Sequence, residues 1–362
     1  MSRLAKVLAA AVLAALAARA AAAIGAEPLG RPLRIGYYHG LRIHLLYRAY
    51  IGGYFDAEGV SVDFYSQYLN IPGFELVPKD YDRLEKKLRN EEGGKSYFGM
   101  VRGTDIIDAI NTGILDGGVV GEASFVAAAT RGDPIVAVAL LGHYTKGYPG
   151  RGLVLRNDIH ISKSSDFKGL VFASRRSGPG DGMLLREFFA SIGLDPAKDV
   201  TIIDQVADDQ QGELLRKKVV AGLLAHFGKL EEPERLGDVY VYRKMDWVDP
   251  ATNMALLVFR KDFFEQHRAE VVRMLRGYIA RIRYEASIPE SRKRRETRNG
   301  LRMVSTAADL RLPVCDDPPL VRQGLLDEVQ RLLLKYRYIE SPADLGKFID
   351  SSAVLEAEHA PR

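Results

Sequence analysis

Residues 166–205, DFKGLVFASRRSGPGDGMLLREFFASIGLDPAKDVTIIDQ, constrain the fold more than any other stretch of the chain. The apolar run 170–173 suits a strand buried on both faces. Residues 174–182 form a polar, glycine-rich turn. Leu184, Leu185, Phe188, Phe189 and Ile192 then recur at helical spacing, and residues 200–203 read as a second buried strand. This is one βαβ unit. Its turn sets Ser174, Arg175, Arg176 and Ser177 at the carboxyl end of a strand and just ahead of a helix, where free amides and the helix dipole favour acceptors and anions. A ligand site is expected there, with Asp181 as a helix cap or a counter-charge for one arginine. An extended backbone points only one of the two arginines toward a cleft.

Residues 1–26 read as an address rather than as part of the fold. Arg3 and Lys6 give a basic start, an Ala/Leu/Val run follows over 7–18, and small residues lead to a cleavage point after Ala23 or Ala26. The apolar run is shorter than the about 20 residues a spanning helix needs. A protein exported to the periplasm is expected, with no membrane insertion after cleavage. The remaining chain, about 335 residues, exceeds the size at which single cores tend to split, so two domains are expected. Cys315 is the one cysteine, which rules out a disulfide within the chain. A charged fraction of 27% and a net charge of +4 are ordinary for a globular protein and give no footprint for nucleic acid. The basic run 292–298, RKRRETR, reads as a solvated helix face or loop.

Elsewhere the chain alternates. Residues 33–37 form a strand, Leu45, Leu46 and Ala49 a helical face, and 60–65 a strand. Residues 105–111 are helical, 118–120 and 135–141 are strands around a helix over 124–131, and 153–155 is a strand. Residues 212–221 are helical, 222–227 and 239–243 extended, and 255–259 a strand; beyond these the pattern turns helical.

The segments RIGYYHGLRIHLLYRAYIGGYFDAEGVSVDFYSQ, GILDGGVVGEASFVAAATRGDPIVAVALL, DFKGLVFAS…SGPGDGMLLREFFASIGLDPAKDV and KYRYIESPADLGKFIDSSAVLEA, in that order, resemble type II periplasmic solute-binding proteins of the sulfonate, nitrate and thiamine-precursor (NMT1/THI5-like) group. The resemblance implies an α/β, two-lobed fold with a hinge and C-terminal helices. Lobe one would be residues 33–151 plus 255–362, with an insertion at 68–103 that is a surface decoration or a cover for the cleft mouth. Lobe two would be residues 156–248, and the crossings would lie near 152–156 and 249–257. It further implies a monomer that captures a small-molecule solute, possesses no cofactor or metal, does no chemistry, and hands its cargo to the permease and ATPase of an ABC importer.

The candidate contacts follow from strand ends. Tyr38 and His39 follow the first strand, and His44 opens its helix; aromatic rings there stack on planar solutes and imidazole donates to acceptors. Tyr37 reads equally as core. Glu122 ends a strand where a carboxylate meets a cationic or amide group, and Ser124 reads first as a helix N-cap. An arginine among Arg175 and Arg176 offers a bidentate fork to a carboxylate or sulfonate. His226 stands where the family carries an acidic residue, and Asn253, with Trp247 and Thr252, lies near the returning hinge. Two alternatives stay open: an enzyme on the same fold, of the thiamine-pyrimidine or menaquinone type, and a ligand-sensing partner of a membrane receptor. A metal held by His39, His44 and Glu122 lacks clustered spacing.

Overall fold

The computed structural model describes residues 29–37, 41–66, 103–144, 151–175, 179–206, 208–226, 238–244, 254–301 and 312–359. The address segment, the insertion at 68–102, Trp247 and Thr252 lie outside them. Among the described residues, ten strands form two mixed sheets. β1 (Leu33–Tyr37), β2 (Val62–Ser66), β3 (Gly117–Gly121), β4 (Ile135–His143) and β10 (Met254–Arg260) make the first, in the order β2-β1-β3-β10-β4. β5 (Arg151–Arg156), β6 (Val171–Arg175), β7 (Thr201–Val206), β8 (Gly222–His226) and β9 (Val239–Lys244) make the second, in the order β7-β6-β8-β5-β9.

The two sheets share one plan. Each has a strand flanked by two parallel neighbours, followed by one antiparallel strand, β10 or β5, inserted before the last. That inserted strand is the one through which the chain enters the second sheet or returns to the first. Residues 152–156, expected to form a crossing, instead lie within β5, hydrogen-bonded to β8 on one side and β9 on the other. The chain passes between the sheets after β4 and after β9.

Helices cover the faces: α1 (His44–Ile51), α2 (Tyr54–Ala57), α3 (Gly103–Asn111), α4 (Glu122–Arg131), α5 (Pro179–Ser191), α6 (Asp208–Arg216), α7 (Lys261–Gln266), α8 (Arg268–Ser287), α9 (Glu290–Leu301), α10 (Gln323–Lys335) and α11 (Ser352–His359). α6 stops at Arg216, short of the expected 221. Lys218 takes a left-handed backbone (φ 59) and turns the chain into β8. The RKRRETR run is helical, within α9, and its Glu296 reaches inward.

Strands buried on both faces explain the unbroken apolar runs that mark them in the sequence. Along β10, Ala255, Leu257 and Phe259 enter a core shared with α1, α8 and α11. Met254, Leu256 and Val258 enter the opposite core. That opposite core does not stop at the first sheet. It takes in Phe125 and Ala128 of α4, Leu184, Leu185, Phe188 and Phe189 of α5, Leu326, Val329, Leu332 and Leu333 of α10, and Leu153, Phe172 and Leu224 of the second sheet. A smaller core, with Val154, Ala173, Leu223 and Leu215, lies on the far side of the second sheet.

Two charge clusters brace the first core. Arg48, Arg281 and Glu285 are all buried and meet Glu296 of α9; Arg48 Nη1 donates to Glu285 at 3.2 Å, and Arg281 Nη2 donates to it at 2.5 Å. Burial and the neighbouring Arg281 push the Arg48 guanidinium down to about 10 against the pull of Glu285. At the opposite end Asp116 accepts from Arg31 at 2.6 Å and from Arg34 at 2.7 Å, tying the starts of β1 and β3 together. Burial opposes the Asp116 charge, yet these hydrogen bonds outweigh it and hold its carboxyl below the usual carboxylate range.

The sign of that shift sets a pH dependence. In the window below about pH 4 the unfolded chain binds a proton at this carboxyl more readily than the folded chain, so folding stability rises with pH there. Asp116→Asn is expected to lower stability at neutral pH by about 1–3 kcal/mol, the scale of lost hydrogen bonds to charged groups. Urea titrations at successively lower pH should show the wild-type advantage shrinking as pH falls below about 4 and gone once it is below the folded pKa.

Candidate functional site

The carboxyl ends of β1, β3 and β4 lie at one edge of the first sheet, together with Met254 at the start of antiparallel β10; Met254 pairs with His143. The carboxyl ends of β6, β7, β8 and β9 lie at one edge of the second, together with Arg151 at the start of β5; Arg151 pairs with His226. The chain leaves β4 from the first edge and enters β5 at the second, then leaves β9 and enters β10 the same way. Both passages therefore join these two edges. Helices α4 and α5 start there too, and they pack on one another. A solute held at strand ends and helix N-termini has these two edges to contact.

A chain of buried charges runs across the junction. Glu122 is the first residue of α4, and both of its carboxylate oxygens are engaged. Arg42 Nη1 donates to one at 2.9 Å, the Met254 amide donates to the same oxygen at 3.3 Å, and Arg151 Nη2 donates to the other at 3.2 Å. Arg42 also donates to the Met254 carbonyl. Beyond Glu122, Arg151 Nε stands 3.8 Å from Asp181 in the first turn of α5. Glu122, Arg151 and Asp181 are 1%, 5% and 1% exposed. Each acid sits at a helix start, where the dipole favours negative charge. The series alternates acid and base, so each of these buried charges has an opposite neighbour. Gly142 makes room for it: a Cβ there would come within 2.4 Å of the Arg42 carbonyl, so only glycine lets the short 3-10 turn Leu41–Ile43 rest on the end of β4.

A second polar cluster lies at the ends of β6 and β7. Ser174, 2% exposed, donates to Asp204 at 2.9 Å. Arg186 of α5 holds Asp204 through both terminal nitrogens, at 3.2 and 2.7 Å, and donates to the Tyr338 hydroxyl at 2.5 Å. The Tyr338 hydroxyl lies 3.2 Å from each Asp204 oxygen. Burial, reinforced by the Asp204 charge, holds this phenol well above its usual value against the pull of Arg186.

The structure thus joins Glu122 to Asp181 through Arg151 and places Ser174 on Asp204. Asp181 stands next to Arg151, which the sequence does not single out. Ser124 is not the N-cap. Gly121 occupies that position (φ −79, ψ 157), so Ser124 is the third helical residue, buried against Gly103. His44 is buried at the first position of α1, and Tyr37 is core, edge-on to Phe64 at 5.5 Å. Arg175 and His226 are the last residues of β6 and β8. Tyr38, His39, Arg176, Ser177 and Asn253 lie outside the described residues. Among the described residues no group of three or more His, Cys, Asp or Glu could hold a metal, and no helix is long and apolar enough to cross a membrane.

Arg42, Arg151, Arg186, Asp204 and Tyr338 join the site only in the folded chain. Asp204 had a local signal, a carboxylate closing the apolar run TII, as did Arg151, set between glycines at a strand start. Arg42 and Tyr338 had none, since their partners lie 80 and 134 residues away. Half-buried Cys315 packs by Tyr278, where desolvation pushes its thiol up to about 12 although the tyrosine hydroxyl works the other way.

Residues 100–290, more than half of the chain, match the family model described as NMT1/THI5 like. No curated protein sequence matches the chain. Among solved structures, the zinc-bound ligand-binding component of an ABC-type import system from Staphylococcus aureus superimposes with a TM-score of 0.63 at 15% identity, covering 91% of this chain and 100% of that one. The alkanesulfonate-binding protein SsuA from Xanthomonas axonopodis pv. citri, bound to MOPS, gives 0.62 at 13%, covering 90% and 99%. The desulfurization enzyme DSZB gives 0.59 at 12%, covering 90% and 99%. At these identities the likenesses show the fold, the α/β fold of type II periplasmic binding proteins.

Two outcomes are expected here. Glu122→Ala leaves Arg42 and Arg151 without their shared carboxylate and should destabilise the protein by about 3–5 kcal/mol, read from urea or thermal unfolding. Cys315, held protonated, should resist iodoacetamide at pH 8 in the native protein and react promptly in urea.

Proposed function

Because this chain belongs to the NMT1/THI5-like family, we propose that it is an exported receptor that captures a small organic solute between its two sheets and delivers it to an ABC importer. The observation that carries this reading is the facing of the two carboxyl edges, bridged by Glu122 and Arg151. The solute would lie where strand ends and the starts of α4 and α5 converge, in a cleft between one lobe built on the first sheet and another built on the second. Contacts to both lobes would favour the closed form.

The sequence candidates divide by role in this proposal. Glu122 and Asp181 hold Arg151 and shape the floor. Ser174 and the turn with Arg175, Arg176 and Ser177 would meet polar groups of the solute, with Tyr38, His39, His44, Ser124, His226 and Asn253 as further contacts. Sulfonate recognition is a property of SsuA; for this chain an organic anion is the class we propose, through the arginine turn.

An enzyme on this fold is the second reading, favoured by the likeness to DSZB, which is a desulfurization enzyme. Thiol chemistry at Cys315 is disfavoured by its position and its raised pKa. Native mass spectrometry of the purified protein should reveal a co-purified solute, and a thermal-shift panel should raise the melting temperature with it, since binding to the folded state alone stabilises by mass action. Arg176→Ala should abolish most of that shift. Conversion of the bound compound to product would overturn the receptor reading, and an Arg176→Ala variant that binds like wild type would remove the anion clamp.

A further inference from the structure

The segment at 323–344 leaves the first sheet and comes back to it. Before it, Val314 and His143 of β4 exchange amide-to-carbonyl hydrogen bonds at 2.8 and 3.0 Å, and the Leu140 amide donates to the Pro319 carbonyl at 2.9 Å. After it, the Asp350 amide donates to the Ala137 carbonyl, again on β4, at 3.0 Å. Between these anchors α10 lies on α4 and reaches α5. Its return leg is fastened to it, since Gln330 accepts from the Ala343 amide at 2.8 Å and donates to the Ala343 carbonyl at 3.2 Å.

The far end of this excursion grips the second half of the molecule. Lys335 pairs with Glu187 of α5 at 2.6 Å, and the Tyr336 hydroxyl donates to the same carboxylate. Tyr338 sits between Arg186 and Asp204, with the guanidinium carbon also 5.4 Å from its ring centre. Beneath these contacts Leu326, Val329, Leu332, Leu333 and Ile339 share a core with Phe188 and Phe189 of α5. Gly182 is cut to fit, since a Cβ there would lie 2.2 Å from both Asp204 Oδ1 and the Tyr338 hydroxyl.

We propose that this C-terminal excursion is a strap, anchored on the first sheet and clasped to α5 and Asp204 of the second, that holds the two halves together and must let go for them to part. Tyr338 and Asp204 are then positioning residues. Asp204 also accepts the Ser174 hydroxyl, so the clasp and the solute-facing turn of β6 share one carboxylate. The use of the strap rests on the receptor reading, but its hold is testable with no solute present.

The test places nitroxide labels at Val219→Cys and Leu355→Cys, both exposed and on opposite halves, in a Cys315→Ser background of the full chain, and measures the distance distribution by pulsed electron resonance. The parent should give one narrow distribution. Tyr338→Phe keeps the ring and its packing but removes the hydroxyl, and should raise the share of a longer distance about tenfold, the effect of losing hydrogen bonds to charged groups. Lys335→Met with Tyr336→Phe should do the same from the other side of the clasp. A single narrow distribution in both variants, with circular dichroism unchanged, would overturn the strap. If the clasp variants open the protein but neither a co-purified solute nor a thermal shift is found, the receptor reading fails and the strap stands. A bound solute with unmoved distances sinks the strap alone.

Discussion

Glu122 and Arg151 meet where the end of the first sheet comes against the start of the second. The pair is buried, and burying charge is costly, so its attraction roughly repays its desolvation rather than adding a large net gain. Its effect is geometric. With Arg42 and the Met254 amide on one side and Asp181 on the other, this placement of the start of β5 against the start of α4 sets each of these charges next to an opposite one. The edges face each other at that placement, and the proposed solute site inherits its shape from it.

Apolar packing supplies the complementary constraint. The core that includes Phe125, Phe188 and Leu333 draws on both sheets and on α10, so the halves are joined by burial as well as by charge. A shared core resists parting in proportion to the apolar area re-exposed to water. The polar clasp at Tyr338 and Glu187 sits on its rim, where directional contacts fix how α10 lies on α5. Together these features join the two sheets by charge and by burial, with strand ends and helix starts converging on the joint.

Much of the scaffold was legible along the chain. Apolar runs doubly buried in strands and the GILDGGVVGE segment mark α/β units that recur in the structure, and the loss of strand signal after residue 260 marks the helices that follow. Boundaries slipped where a local cue was ambiguous. Ser124 resembles an N-cap by type, but Gly121 is already extended and α4 starts at once. Residues 212–221 continue a helical pattern, but the left-handed Lys218 ends the turn before β8. The site was legible as a place and not as a set of contacts. Strand-end position picked out Glu122 and Ser174, and the helix start Asp181, while the local cues at Arg151 and Asp204 did not mark them as partners and Arg42 had no cue at all.

The reason lies in sequence distance. Periodicity, turn chemistry and helix starts are local properties, so the α/β class, the order of the units and the strand ends at which ligands would be met all follow from the residues in line. Which charge faces which is decided when segments far apart are folded together, as Glu122 is with Arg42 and Tyr338 with Asp204. Folding in three dimensions turned Glu122 from a carboxylate at a strand end into the hub of a buried ion chain. It likewise turned a C-terminal helix into a strap, because burial makes every charge require a partner and the chain between them carries no trace of which one.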